Sequence, residues 1–240
     1  MLDLHCHILP GLDDGAEDLE TSVAMAAMAA DSGVTHIFAT PHCNTRNASQ
    51  NFRSPALIAA YRSLQTVLDE AGIPVKILSG SEVLARGHFT RHLAAGDFMS
   101  LNGSRYLLVE FYFDESPVWM EECLSAVEAE GLVPVVAHPE RYYCVQEAPD
   151  LAQRWADRGR LLQLNKGSLL GELEAGCFET AALLLRRGAV SVIASDAHHY
   201  RRRNPRLDEL LPLLERRFPE ADPRRLLHDN PLKIARDQAL

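Results

Sequence analysis

Residues 33–42 read Gly-Val-Thr-His-Ile-Phe-Ala-Thr-Pro-His: a glycine, a run rich in β-branched and apolar side chains, then a histidine just past a Thr-Pro stop. A short apolar run bounded in this way reads as a strand buried on both faces. Ahead of it, Asp18–Ser32 has a helical pattern, and a glycine directly after a helix is its usual stop. The same order recurs along the chain. Strands are expected at Met1–His5, Val34–Ala39, Val75–Ser79, Tyr106–Phe111, Val133–Ala137, Leu161–Leu164 and Val190–Ala194. Helices are expected at Asp18–Ser32, Pro55–Ala71, Val118–Glu130, Asp150–Arg158 and Glu172–Arg187, followed by Gly33, Gly72, Gly131, Gly159 and Gly188. Pro117 suits a first helical turn, and further helices are expected after Pro205. Repeated βα units imply a parallel α/β sheet, and seven strands favour a closed or nearly closed barrel. Residues 1–240 show no linker or low-complexity break, so one domain is expected.

Parallel α/β barrels build their active sites at the carboxyl ends of the strands. Six of the seven expected strands carry a metal-type residue there. His5 and His7 form an HxH pair whose members share a face of an extended backbone. His42 follows the second strand, Glu82 the third, Glu110 ends the fourth, His138 follows the fifth, and Asp196 and His198 follow the seventh; Asp14 sits in the first loop. The sixth strand ends in Asn165-Lys166, without a strong ligand. Each motif alone has a structural reading. Ser195 and Asp196 could cap a helix, Pro139 could stop a strand, and Glu110 could be an ordinary loop carboxylate. Their recurrence at equivalent positions points instead to metal. Nine convergent donors exceed one tetrahedral ion and suit two or three divalent ions, with carboxylates such as Glu82 bridging. His36 reads as a core histidine, and His88, His92, His199 and His228 as surface or packing residues.

The charge balance, 24 basic against 33 acidic residues for a net −9, disfavours nucleic acid and anionic membranes as partners. Asp3, His5 and His7 interrupt the place where a leader's apolar core would sit. No apolar run approaches the ~20 residues of a spanning helix, so a cytoplasmic protein with no membrane insertion is expected. The five cysteines (Cys6, Cys43, Cys123, Cys144, Cys177) form no CxxC pair, and none has an arginine six residues later, as a Cys-x5-Arg phosphatase loop requires. Catalysis by a cysteine nucleophile is therefore not expected.

With these residues in view, the chain resembles the polymerase-and-histidinol-phosphatase (PHP) superfamily. Within it, the similarity is to the bacterial protein-tyrosine phosphatases of capsule and exopolysaccharide synthesis. The most specific stretches are DLHCHILPGLDDGAED (3–18), ATPH (39–42), GSEV (80–83), LVEF (108–111), AHPERY (137–142), QLNKGSLLG (163–171) and ASDAHH (194–199). The resemblance implies a distorted (β/α)7 barrel of the PHP type. It implies three metal sites: His5, His7, Glu82 and Asp196; Glu82, Glu110 and His138; and Asp14, His42 and His198. It also implies phosphate contacts from Arg141 and, with the register of residues 201–203 open, from Arg203. The cofactors it implies are two or three divalent ions, manganese first, with iron, zinc or cobalt as alternatives. The activity it implies is hydrolysis of phosphotyrosine by a metal-activated hydroxide, on a tyrosine-phosphorylated protein such as an autophosphorylating bacterial tyrosine kinase. Two alternatives stay open: a small-molecule phosphatase of the histidinol-phosphatase type, and a non-catalytic metal-binding partner module. Cys6, Cys43, Asn44 and His199 depart from the family's usual pattern without removing a ligand.

Overall fold

The computed structural model of the chain describes residues 1–45 and 50–240. Its strands are β1 (Leu2–Cys6), β2 (His36–Ala39), β3 (His42–Cys43), β4 (Lys76–Ser79), β5 (Glu82–Leu84), β6 (Tyr106–Glu110), β7 (Val133–Ala137), β8 (Leu161–Asn165) and β9 (Val192–Ala194). All pair in parallel, in a three-stranded sheet of order β1-β2-β4 and a six-stranded sheet of order β3-β5-β6-β7-β8-β9.

These nine segments occupy the seven expected strand positions. β2 and β3 are halves of one strand parted by Thr40-Pro41, where proline has no N–H for the ladder. β4 and β5 are likewise halves of one strand around Gly80-Ser81. A Cβ on Gly80 would lie 2.9 Å from the Leu101 side chain and 3.1 Å from that of Thr40, so a larger residue would have to displace both. The last strand position returns to the first through a parallel bridge between Cys6 and Ala197. Asp196 N donates to His5 O at 2.9 Å and His7 N to Ala197 O at 2.8 Å, linking all seven positions in a ring.

Alternation along the strands sorts two cores. Leu107, Val109, Val136, Leu162, Leu164 and Ile193 pack outward against helical residues such as Leu64, Met120, Leu124, Trp155 and Leu184. Phe38, Tyr106, Leu108, Val135, Ala137, Val192 and Ala194 form a smaller inner cluster with Leu101 and Ile234. With the inner space filled by side chains, the ring is a packed core, leaving only its carboxyl mouth for chemistry. Among the described residues no helix is long and apolar enough to cross a membrane.

The surrounding helices start where the sequence supplies caps. Asp18 accepts from Thr21 N at 2.8 Å to begin Leu19–Asp31, and Ser54 accepts from Leu57 N at 3.2 Å to begin Pro55–Glu70. Pro117–Ala129 follows Ser116, with proline in its first turn as expected. Two expectations need correction, and one short helix was not foreseen. The helix read as Glu172–Arg187 runs over Ala175–Arg186, because a separate short helix, Lys166–Leu170, ends at Gly171. The helix Phe89–Ala94 has too few residues for its period to stand out. His36 is not a core residue: it opens β2 half-buried, its Nδ1 2.9 Å from Thr35 Oγ1.

Candidate metal centre

The nine ligand-type side chains gather at the carboxyl mouth. β1 delivers two of them through an irregularity. Asp3 pairs with Ile37 but Cys6 with Ala39, so one extra residue bends the strand as it leaves the ladder. His5 Nε2 and His7 Nε2 then lie 3.1 Å apart. Glu82 Oε2 is 3.2 Å from each, and Asp196 Oδ1 is 3.5 Å from each. Two other ligand-type residues are aimed by unusual backbone: His138 (φ 34°) and Asp196 (φ 50°) leave their strands in the left-handed region. That conformation is unfavourable for residues with a Cβ and persists where the surroundings enforce it.

A second group shares Glu82. His138 Nε2 lies 2.8 Å from Glu82 Oε1 and 3.7 Å from Glu110 Oε1. In a third, Asp14 Oδ1 lies 3.4 Å from His42 Nε2 and 3.5 Å from His198 Nε2. The groups touch more than the resemblance implied. His42 also turns Nδ1 to Glu82 Oε2 at 3.0 Å and to Glu110 Oε2 at 3.4 Å, and the donor atoms of His7 lie among those of the third group. Exposure is graded across the cluster. The side chains of His5, His7, Glu82, His138 and Asp196 are at most 2% exposed, whereas Glu110, His42 and Asp14 reach 14%, 17% and 68%. The more accessible donors of the cluster are therefore those of Asp14, His42 and Glu110.

The donor set fits metal ions. A tetrahedral ion with bonds of about 2.0–2.1 Å needs donors about 3.3–3.4 Å apart. The His5–His7 separation of 3.1 Å and the 3.2 and 3.5 Å from each imidazole to Glu82 and Asp196 are close to that spacing, and the donor atoms of His5, His7 and Asp196 lie together as one group. Glu82 Oε2 and His42 Nδ1 are buried without a hydrogen-bond partner although 3.0 Å apart. Buried polar atoms of this kind call for a shared cation or an equivalent partner.

Residues that the sequence reading passed over hold the donors in place. His7 donates Nδ1–H to Asp13 Oδ2 at 2.8 Å, leaving Nε2 as the donor atom toward the cluster. Asp13 also accepts from His42 N at 2.8 Å and Gly15 N at 3.0 Å. A Cβ on Gly15 would fall 2.2 Å from His7 O, so the Asp-Asp-Gly turn requires glycine to lie against His7. β8 contributes amides rather than a ligand. His5 Nδ1 meets Gln163 Oε1 at 2.9 Å, Gln163 Nε2 donates to Asn165 Oδ1 at 2.9 Å, and Asn165 Nδ2 donates to Asp196 Oδ2 at 2.6 Å. This chain of bonds joins ligand-type residues on the first and last strands. The period-2 pattern of Gln163-Leu164-Asn165 was the available signal, since it puts both amides on the inner face.

Both predicted arginines border the cluster. Arg203 Nη2 hydrogen-bonds Asp196 Oδ2, and Arg141 Nη1 lies 3.7 Å from the same oxygen. The Arg141 guanidinium also sits 4.3 Å from the centre of the Phe113 ring. The Arg203 loop is pinned by fully buried Lys166, whose Nζ donates to Asn204 Oδ1 and Arg206 O, each at 2.7 Å. His88 is exposed, and His92, His199 and His228 are partly exposed and outside the cluster.

Charge coupling in the cluster is strong. Burial opposes ionisation of Glu82 and Asp196, yet the neighbouring histidines outweigh it and hold both carboxyls well below the usual range. Burial likewise works against charge on the histidines. Glu82 and Asp196 nevertheless raise His5, Asp13 raises His7 well above its ordinary value, and Glu82 and Glu110 lift His42 to about 10. His198 is lowered, by burial and then by the charge on His7. All five thiols are pushed up by burial, Cys43 and Cys123 to about 12, opposite to what a reactive nucleophile needs.

The sequence profile of the family described as "Capsular polysaccharide synthesis, CpsB/CapC" matches residues 1–236. The chain is 35% identical to tyrosine-protein phosphatase YwqE of Bacillus subtilis over 240 residues, covering 100% of this chain and 93% of YwqE. It is 29% identical to tyrosine-protein phosphatase CpsB of Streptococcus pneumoniae over 247 residues, covering both chains fully. Among solved structures, it superposes with a TM-score of 0.90 at 34% identity on one described with "Crystal structures of YwqE from Bacillus subtilis and CpsB from Streptococcus pneumoniae, unique metal-dependent tyrosine phosphatases", covering 100% of this chain and 96% of that one. A phosphotriesterase from Mycobacterium tuberculosis, at 14% identity and a TM-score of 0.51, shares the fold alone.

Proposed function

The chain belongs to the CpsB/CapC family of capsular polysaccharide synthesis, and from that premise we propose that it is a metal-dependent phosphotyrosine-protein phosphatase working at the carboxyl mouth of its barrel. The carrying observation is the buried His5–His7 pair, 3.1 Å apart, with Glu82 at 3.2 Å and Asp196 at 3.5 Å from each imidazole. We assign these four to one divalent ion, Glu82 with Glu110 and His138 to a second, and Asp14, His42 and His198 to a third. Imidazole mixed with carboxylate suits manganese, iron, zinc or cobalt; manganese is the proposed occupant.

When bound, such ions supply Lewis-acid charge and acidify water near neutral pH. The chain's own groups do the rest. Asp13 and Gln163 fix the ring orientation of His7 and His5. Arg141 and Arg203, both drawn to the edge of Asp196, are placed to bind phosphoryl oxygens and offset their charge. A phenolate leaves more readily than an alkoxide, so phosphotyrosine puts little demand on a general acid. The proton-retaining thiols, four of them buried and Cys144 half-buried, support a route without covalent cysteine chemistry.

The proposed substrate is a tyrosine-phosphorylated protein, specifically an autophosphorylating bacterial tyrosine kinase of polysaccharide export. The proposed place of action is the cytoplasm, with residues 1–240 working as one domain. The test is turnover of a phosphotyrosine peptide and of histidinol phosphate, side by side, by protein of measured metal content. Expected are hydrolysis of the peptide, its loss in chelator, its return with added manganese, and indifference to thiol alkylation. Faster turnover of histidinol phosphate would favour the small-molecule alternative, and no turnover with any of the four metals would favour a binding module.

A further inference from the structure

An aromatic run, Phe111-Tyr112-Phe113, follows Glu110, and its last two residues lie beyond the LVEF motif and outside the ligand pattern. It lines a pocket of about 390 Å³ whose remaining wall includes Leu84 and the two partly exposed ligand-type residues His42 and Glu110. The pocket therefore opens on the side from which the cluster is accessible. Phe113 also borders a smaller space of about 90 Å³ that contains Arg141. It thus stands between an apolar pocket and Arg141, one of the two arginines that border the cluster. Its ring stands edge-on to His138, with centroids 6.2 Å apart and planes at 76°, and carries the Arg141 guanidinium 4.3 Å from its centroid. The segment is anchored rather than free. Tyr143 N donates to Phe113 O at 2.8 Å, and Phe111 N donates to Tyr142 Oη at 3.2 Å.

We propose that Phe113 makes this pocket an aryl slot that selects aromatic over aliphatic phosphate esters, while its other side positions Arg141 for the phosphoryl group. This rests on the phosphatase reading above and goes beyond it by naming what distinguishes a tyrosyl from a seryl or alkyl ester. An apolar wall beside the open edge of the cluster stabilises a ring attached to a bound phosphoryl group by area removed from water. It gives a short alkyl ester almost nothing. Burial of a ring's worth of apolar surface corresponds to about ten- to a hundredfold in affinity. The cation–π contact adds orientation: a guanidinium held over one ring face has fewer conformations to lose when it binds phosphate.

The test is calorimetric titration of metal-loaded protein with phenylphosphonate and with methylphosphonate, which share a headgroup and differ in the ring. Wild-type protein should bind phenylphosphonate about tenfold or more tightly than methylphosphonate. Phe113→Ala should bring the two within about threefold, Phe113→Leu should keep part of the preference through its apolar surface, both should weaken methylphosphonate slightly through Arg141, and Phe113→Tyr should restore the full preference. Equal weakening of both ligands by Phe113→Ala would mark Phe113 as merely structural, and a ratio unchanged in that variant would likewise overturn the slot. Because the readout is binding, absence of phosphotyrosine hydrolysis by wild-type protein would refute the functional reading without deciding the slot, which the ratio decides alone.

Discussion

Replacing Asp13 tests whether the cluster is held from behind. Its carboxylate is fully buried and accepts three hydrogen bonds, from His7 Nδ1, His42 N and Gly15 N at 2.8, 2.8 and 3.0 Å. Asp13→Ala strands two main-chain donors and the imidazole N–H. At about 1–3 kcal/mol for each of the three buried donors left unpaired, the loss is roughly 3–9 kcal/mol, toward the lower end where water enters. His7 also loses the partner that keeps its proton on Nδ1, and removing such a partner lowers metal affinity about 10- to 100-fold. Asp13→Asn should be milder. With its carbonyl oxygen toward His7 and His42, only Gly15 N faces a donor, so one bond is lost instead of three. Manganese titration by calorimetry and thermal unfolding with and without metal measure the two effects separately. The expected order of affinity is wild type, then Asn, then Ala. An Ala variant that binds metal within twofold of wild type, at full stoichiometry, would refute the claim that Asp13 orients the cluster.

Metal loading should release protons. His7 and His42 are both raised by neighbouring carboxylates, His42 to about 10, so near pH 7 each holds a proton that a cation must displace. Apparent metal affinity should therefore rise with pH, and the calorimetric heat should change with the buffer's ionisation enthalpy; a buffer-independent heat would contradict this. Lys166→Met removes the buried ammonium that ties Asn204 and Arg206 O beneath the Arg203 loop. Expected are a loss of about 3 kcal/mol in stability and a KM for phosphotyrosine peptide raised more than kcat is lowered. Thermal melts and steady-state kinetics check both, and a normal KM would separate Lys166 from substrate binding.

Much of this protein was legible without coordinates because the relevant information is local. Strands buried on both faces announce themselves as short apolar runs. Helices are framed by Asp18 or Ser54 at one end and glycine at the other. A residue at or just past the end of a strand must lie near the barrel mouth, so all the ligand-type residues except Asp14, which sits in the first loop, could be placed from their own neighbourhoods. What stayed hidden depends on partners remote in sequence. Asp13 resembles its neighbour Asp14 in every local respect, and only the return of His7 and His42 to its side distinguishes a supporting carboxylate from a ligand-type one. Gln163 matters because His5, 158 residues away, lies against it. The linking of the last strand position to the first, the left-handed turns that aim His138 and Asp196, and the two faces of Phe113 are likewise set by packing across the ring. Sequence by itself determined the strand pattern and the placement of metal-type residues along it. Tertiary structure alone decided which donor atoms meet, at what separation and with what support, because those are distances between segments whose spacing along the chain carries no information about their spacing in space.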